Sequence, residues 1–135
     1  MTESKHHEVV VIGAGVCGIY QLYRLLELGI DATVLEAGSD LGGTWYWNRY
    51  PGARFDSESH SYSYSFSEEL LQEWDWSEYF AGQPETLRYL GYVADKFNLR
   101  EHMQFDCRVK SAVFDESRSV WKISLQDGRS LTCNI

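Results

Sequence analysis

An α/β fold is predicted for this chain by three features. A β-branched run, Val9–Ile12, ends in the glycine-rich hexapeptide Gly13–Gly18. A helix-forming stretch and a second apolar run, Ala32–Leu35, follow within about 30 residues, completing a βαβ unit. The last third alternates and is broken by Asp127-Gly128, a hairpin turn signal. Together they predict a Rossmann-like α/β domain carrying GxGxxG, with a β-meander appended.

The elements follow in order. Val9–Ile12 is a short β-branched run of the kind buried on both faces of a parallel sheet. Val16–Leu28 favours a helix, and Gly29 is a suitable residue for its left-handed stop. Ala37–Ser59 has no clean period and reads as loop with at most a helical turn. His60–Phe66 alternates Tyr62, Tyr64 and Phe66 with serines, the pattern of an extended strand or hairpin arm. Ser67 before Glu68 and Glu69 resembles an N-cap with acidic residues in the first turn. Pro84 opens a further helix with Leu87, Leu90, Ala94 and Phe97 along one face. Residues 104–106, 108–114, 120–125 and 130–133 complete the tail as strands.

Composition narrows the function. With 135 residues the chain matches one domain, and 44% hydrophobic with 24% charged residues is ordinary for a globular protein. Twelve basic against twenty acidic side chains leave a net charge of −8, which repels a phosphate backbone, so no nucleic-acid partner is expected. A polar amino terminus and the lack of an apolar run of about 20 residues indicate a cytoplasmic protein without a membrane span. Cys17, Cys107 and Cys133 have no CxxC spacing and read as small buried hydrophobes; His60 and His102 lack ligand-spaced partners, so no metal site is expected. His6 and His7 read as part of a mobile tail.

The first site candidate is Gly13-Ala14-Gly15-Val16-Cys17-Gly18. Its first glycine permits the tight turn after a strand, its second lets a pyrophosphate approach the backbone, and its third allows close helix–strand packing. The following helix points its N-terminal N–H groups at the phosphates. Glu36, eighteen residues after Gly18, ends the second strand. A carboxylate there accepts ribose hydroxyls and repels a 2′-phosphate, favouring FAD or NAD over NADP.

The second candidate is the run from Leu41 to Asp56, LGGTWYWNRYPGARFD. Paired glycines allow close passage beside a ligand, three successive aromatics could flank a planar heterocycle, and Arg49, Arg54 and Asp56 supply charge. Periodicity alone reads the same run equally as an aromatic loop packed over a core.

GGTWYWNRYPGARFDSES with the following YSYSFS alternation closely resembles type I Baeyer–Villiger flavoprotein monooxygenases, the phenylacetone and cyclohexanone monooxygenase group. The resemblance continues through residues 73–76, the Gln83-Pro84-Glu85 helix start and residues 93–97, nearly the whole chain. One departure is Phe55, where relatives often carry cysteine.

The resemblance implies FAD as cofactor and NADP(H) as reductant, with O₂ and a ketone converted to an ester or lactone. It places Gly13, Ala14, Gly15 and Gly18 at the FAD pyrophosphate and Glu36 at the adenosine ribose. Gly43, Thr44, Trp45, Tyr46 and Trp47 would run along the flavin nucleotide. Asp56 would be the catalytic carboxylate beside the flavin, with Arg54 and Phe55 flanking it toward NADP(H). Tyr62 would be a further flavin-side contact, a role no better supported by its own context than core packing. Val109, otherwise a plain strand valine, would meet the adenine end. Tyr64, Phe66, Trp74 and Trp76 read as core, and Glu68, Glu69, Glu73 and Asp75 as a solvated acidic face.

Residues 1–135 are thus expected to be an FAD-binding domain, incomplete at its carboxy terminus, with NADP and substrate domains absent and no turnover alone. A different flavin enzyme, an N-hydroxylase or flavin-containing monooxygenase, and a non-enzymatic FAD-binding remnant remain as alternatives.

Overall fold

A computed structural model describes residues 4–135. Its β-strands are β1 (Lys5–His7), β2 (Val9–Ile12), β3 (Ala32–Leu35), β4 (Met103–Gln104), β5 (Val109–Asp115), β6 (Val120–Leu125) and β7 (Ser130–Cys133). Its α-helices are α1 (Val16–Glu27), α2 (Thr44–Trp47), α3 (Ser59–Tyr62), α4 (Glu68–Glu73) and α5 (Gln83–Lys96), with a 3₁₀ turn at Arg100–His102. Two sheets result: a parallel one ordered β2-β3-β4 and a mixed one ordered β1-β7-β6-β5.

The βαβ unit forms as its sequence requires. Val9 to Ile12 pair in parallel register with Ala32 to Leu35, joined by α1. That helix ends in a Schellman motif: Ile30 N–H donates to Leu25 C=O and Gly29 N–H to Leu26 C=O, with Gly29 at φ +73°. α5 ends the same way with asparagine in place of glycine. Leu99 N–H reaches Ala94 C=O, Asn98 N–H reaches Asp95 C=O, and Asn98 sits at φ +54°. At the start of α4, the Ser67 hydroxyl accepts the Leu70 N–H at 3.2 Å, the expected cap.

Two cores divide the chain. The larger packs Ile19 and Leu22 of α1 and Tyr89, Leu90 and Val93 of α5 with Val9, Val11 and Val34 of the parallel sheet. The smaller, of Leu35, Cys107, Ile123, Leu125, Leu131 and Cys133, joins the mixed sheet to the parallel one. The hairpin turn is as expected, with Leu125 N–H donating to Arg129 C=O and Gly128 at φ +95°.

Several expectations are corrected. β3, in the centre of its sheet, is buried throughout, whereas in β2 Val9 and Val11 are buried but Ile12 is exposed. On the opposite face of β2, Val10 is half-buried against the smaller core, so exposure is confined to Ile12 at the end of the strand. His6 and His7 belong to β1, which pairs in parallel with β7; His7 is buried, with Nδ1 3.1 Å from an Asp31 carboxylate oxygen. Cys107 and Cys133 are buried, but Cys17 is exposed in the first turn of α1.

The largest difference lies at His60–Phe66, which is not a strand. Ser59–Tyr62 forms a helical turn and the chain runs irregularly from Ser63. The Ser59 hydroxyl explains it: its single proton lies between the carbonyls of Glu78 (2.8 Å) and Tyr79 (3.0 Å) and its oxygen accepts the Ala81 N–H, drawing the backbone away from any ladder. The alternating aromatics serve packing instead. Tyr62 stacks on Phe55, while Tyr64 and Phe66 lie against Tyr20, and Phe66 against Tyr23, of α1.

Candidate cofactor-binding site

The glycine loop leaves β2 at Gly13, whose N–H donates to Leu35 C=O and whose φ of +100° suits glycine. Gly18, one turn into α1, faces back on this bend. A Cβ at Gly18 would lie 1.9 Å from the Gly13 carbonyl oxygen, so any side chain there would push helix and strand apart. The third glycine therefore has the packing role that the spacing indicates.

Gly15 meets the second glycine-containing segment. Gly42 N–H donates to Ala14 C=O at 2.9 Å, and a Cβ on Gly15 would be 3.4 Å from the Gly43 Cα. In the other direction a Cβ on Gly43 would be 2.8 Å from the Gly15 Cα, with Gly43 at φ +54°. Two backbones thus touch with no side chain between them, beside the N-terminus of α1. Thr44–Trp47 follows immediately as α2.

Glu36 closes the floor of this arrangement. Its side chain is buried, with one carboxylate oxygen accepting Ala14 N–H at 2.7 Å and the other Gly38 N–H at 2.8 Å. Each oxygen retains acceptor capacity for a hydroxyl. The carboxylate therefore shapes the glycine loop. Gly42, one of the paired glycines of the aromatic run, is part of this construction, and so is Gly38, which was absent from the sequence-derived candidates. The signal for Gly38 was its place two residues after Glu36, and a Cβ there would meet the Tyr46 ring at 2.6 Å.

The aromatic run divides between core and surface. Trp45 is buried; its indole N–H donates to the Tyr62 hydroxyl at 2.9 Å, and its carbonyl accepts from the Gln83 amide. Phe55 is also buried, stacked on Tyr62 at 4.1 Å between ring centres and perpendicular to Trp45 at 5.1 Å. The side chains of Trp45 and Phe55 thus hold the segment to the core. Tyr46 accepts the Ser39 N–H and lies 5.1 Å beneath the Arg49 guanidinium, while Trp47 is exposed.

Charges near Asp56 are already partly committed. Arg54 donates to a Glu78 carboxylate oxygen at 2.7 Å and to Phe80 C=O at 3.0 Å, whereas Asp56 is exposed. Val109, half-buried, begins β5 opposite Leu125 next to a register shift. Tyr64 donates its phenol proton to Val16 C=O in the first turn of α1, and burial holds that phenol well above its ordinary range. Among the described residues no cluster of His, Cys, Asp or Glu could hold a metal, and no helix is long and apolar enough to cross a membrane.

Comparisons with known proteins agree with this geometry. Residues 11–75 match the family model of the NAD(P)-binding Rossmann-like domain. The chain is 48% identical over 124 residues to an acetone monooxygenase (methyl acetate-forming) of Gordonia sp. (strain TY-5), covering 92% of this chain and 23% of that protein. It is 43% identical over 131 residues to the phenazine N-monooxygenase PhzNO1 of Lysobacter antibioticus, covering 96% of this chain and 24% of that protein. A crystal structure of OTEMO in complex with FAD and NADP superposes with a TM-score of 0.90 at 46% identity, covering 97% of this chain and 25% of that one. The α/β fold is therefore that of a Rossmann-like domain as found in these enzymes. The chain is a homologue of the Baeyer–Villiger flavin monooxygenases, at 36–48% identity to the acetone, cyclopentanone and cyclohexanone enzymes among them, and spans about a quarter of their length.

Proposed function

We propose that this chain forms the FAD-binding portion of an NADPH- and O₂-dependent Baeyer–Villiger monooxygenase that oxidises ketones to esters or lactones. The observation that carries this is the contact of Gly15 with Gly43 above the buried Glu36 carboxylate. It leaves a bare backbone surface at a helix N-terminus beside a carboxylate with spare acceptor capacity, the recognition set of an adenine dinucleotide without a 2′-phosphate. The complex of a similar protein with FAD and NADP supports the choice of FAD.

In this reading Gly13, Ala14, Gly15 and Gly18 hold the pyrophosphate and Glu36 holds the ribose. Gly43, Thr44, Tyr46 and Trp47 line the nucleotide's path, Trp45 and Tyr62 fix that lining from beneath, and Val109 offers its backbone to the adenine end. When bound, the flavin supplies the redox chemistry, taking reducing equivalents from NADPH and using O₂ to oxidise the ketone. Asp56 is the proposed catalytic carboxylate. It remains available to a cationic partner because Arg54 is taken by Glu78. Arg54 and Phe55 then border the NADP(H) side, Phe55 through its backbone. Residues 1–135 are one FAD-binding domain in this reading, with NADP and substrate domains supplied elsewhere and no turnover by the chain alone. The protein is proposed to be cytoplasmic, with no nucleic-acid partner at a net charge of −8.

The similarity to a phenazine N-monooxygenase favours one second reading, oxygen transfer to nitrogen by the same flavin site. The purified chain should quench FAD fluorescence saturably, and Glu36→Ala should weaken that binding at least tenfold. A folded wild-type chain that leaves FAD fluorescence unchanged would reject the flavin reading.

A further inference from the structure

We infer that Arg100, far in sequence from the glycine loop and the aromatic run, is a positioning residue for the cofactor site. It holds the 37–43 loop through Asp40 and so sets the backbone of Gly42 and Gly43. The inference rests on the flavin reading above and adds to it a residue that neither the glycine motif nor the aromatic run includes.

Arg100 follows α5 and turns back across it. Its Nη1 donates to Asp40 Oδ1 at 2.6 Å and its Nε to Asp95 Oδ1 at 2.6 Å, so one guanidinium joins the loop to the end of α5. The Asp40 oxygen that it engages also accepts the Leu41 N–H at 2.8 Å, which fixes the carboxylate relative to its own backbone. Leu41 is buried in the main core, and the next residue, Gly42, donates to Ala14 of the glycine loop. A continuous path thus runs from Arg100 through Asp40 and Leu41 to the contact between Gly43 and Gly15.

Gly91 is the second, independent observation. It lies inside α5, where glycine is disfavoured because it gains no packing and loses backbone freedom. A Cβ at this position would lie 3.2 Å from Arg100 Nη2, closer than ordinary contact. With no side chain at Gly91 the guanidinium lies against the helix and engages Asp40 without the shift of a few tenths of an ångström that a Cβ would demand. A half-exposed ion pair contributes little to global stability. Its value here is geometric, because the loop that it restrains carries the glycine whose backbone faces the ligand.

The test uses the full 135-residue chain with Arg100→Gln, Asp40→Asn and the double variant. Flavin fluorescence titration measures FAD affinity, and amide hydrogen exchange follows Gly42 in the loop and Val93 in the core of α5. Each single variant should weaken FAD binding about three- to fivefold. The double variant should be no weaker than Arg100→Gln alone, because both substitutions break the Arg100–Asp40 contact and Arg100→Gln already loses the pair with Asp95. Gly42 exchange should accelerate while Val93 stays protected. Unchanged FAD affinity and Gly42 exchange in Arg100→Gln would overturn the inference. So would fully additive losses in the double variant, or equal acceleration at Gly42 and Val93, which marks a general loss of stability. If the wild-type chain is folded and binds no FAD, the flavin reading fails. Gly42 exchange in Arg100→Gln then decides by itself whether Arg100 positions the loop.

Discussion

Gly15 and Gly43, 28 positions apart, meet backbone to backbone, so closely that a Cβ on Gly43 would lie 2.8 Å from the Gly15 Cα. One glycine belongs to the loop after β2 and the other precedes α2. Their contact makes one surface from two motifs that the sequence shows separately.

Gly43→Ala should therefore damage this surface. The substitution adds both the close contact and a side chain at φ +54°, and overpacking of this kind costs about 1–3 kcal/mol. FAD affinity is expected to fall about tenfold or more, read by fluorescence titration. Gly18→Ala should act chiefly on the fold, because its Cβ would strike the Gly13 carbonyl at 1.9 Å. A melting temperature lower by of order 10 °C is expected.

Glu36→Ala and Glu36→Gln should separate shape from recognition. Alanine leaves the Ala14 and Gly38 N–H groups, now paired with the carboxylate, without their acceptor. A buried donor left unpaired costs about 1–3 kcal/mol. Glutamine keeps one carbonyl acceptor but presents an amide to the second N–H. Both variants should bind FAD more weakly, and alanine should also lower the urea midpoint at unchanged slope.

Asn98→Ala tests the cap of α5. Asn98 sits at φ +54°, where alanine pays about 1 kcal/mol for its Cβ and glycine pays nothing. Chemical denaturation should show Asn98→Ala less stable by about that amount and Asn98→Gly at least as stable as wild type.

Alkaline pH should destabilise the chain through Tyr64. Burial, then the neighbouring Tyr89, Tyr62 and Cys17, raise its phenol above the ordinary value of 10.0. The unfolded chain therefore loses this proton first as pH rises, and folding stability falls. The Tyr64 contribution is fully present below about pH 10 and is lost progressively as pH rises toward the folded value. Thermal melts from pH 8 to 11 should show a drop in wild type that Tyr64→Phe reduces.

Much of this molecule is legible in its sequence because local rules decide it. The Val9–Ile12 strand, the glycine hexapeptide, the Ser67 cap, the Pro84 helix start and the Asp127-Gly128 turn each depend on residues within one or two turns of chain. Glu36 could be placed because the length of a βαβ unit fixes its distance from the glycines. The aromatic run supplied the family, through resemblance rather than periodicity.

Tertiary structure decided what no local rule reaches. The alternation at His60–Phe66 has the period of a strand, yet Ser59 finds backbone partners at residues 78, 79 and 81 that hold the chain in a helical turn. His7 is buried only because β7, more than 120 residues later, pairs with β1. Phe55 and Trp45 lie in a stretch that could equally have faced solvent or ligand, and their side chains face inward, where both meet Tyr62. Gly91 looks like a flaw in a helix until the Arg100 guanidinium is seen to lie against it. Short-range hydrogen bonding and steric limits are written in neighbouring residues; burial and close approach depend on distant segments that only folding brings together.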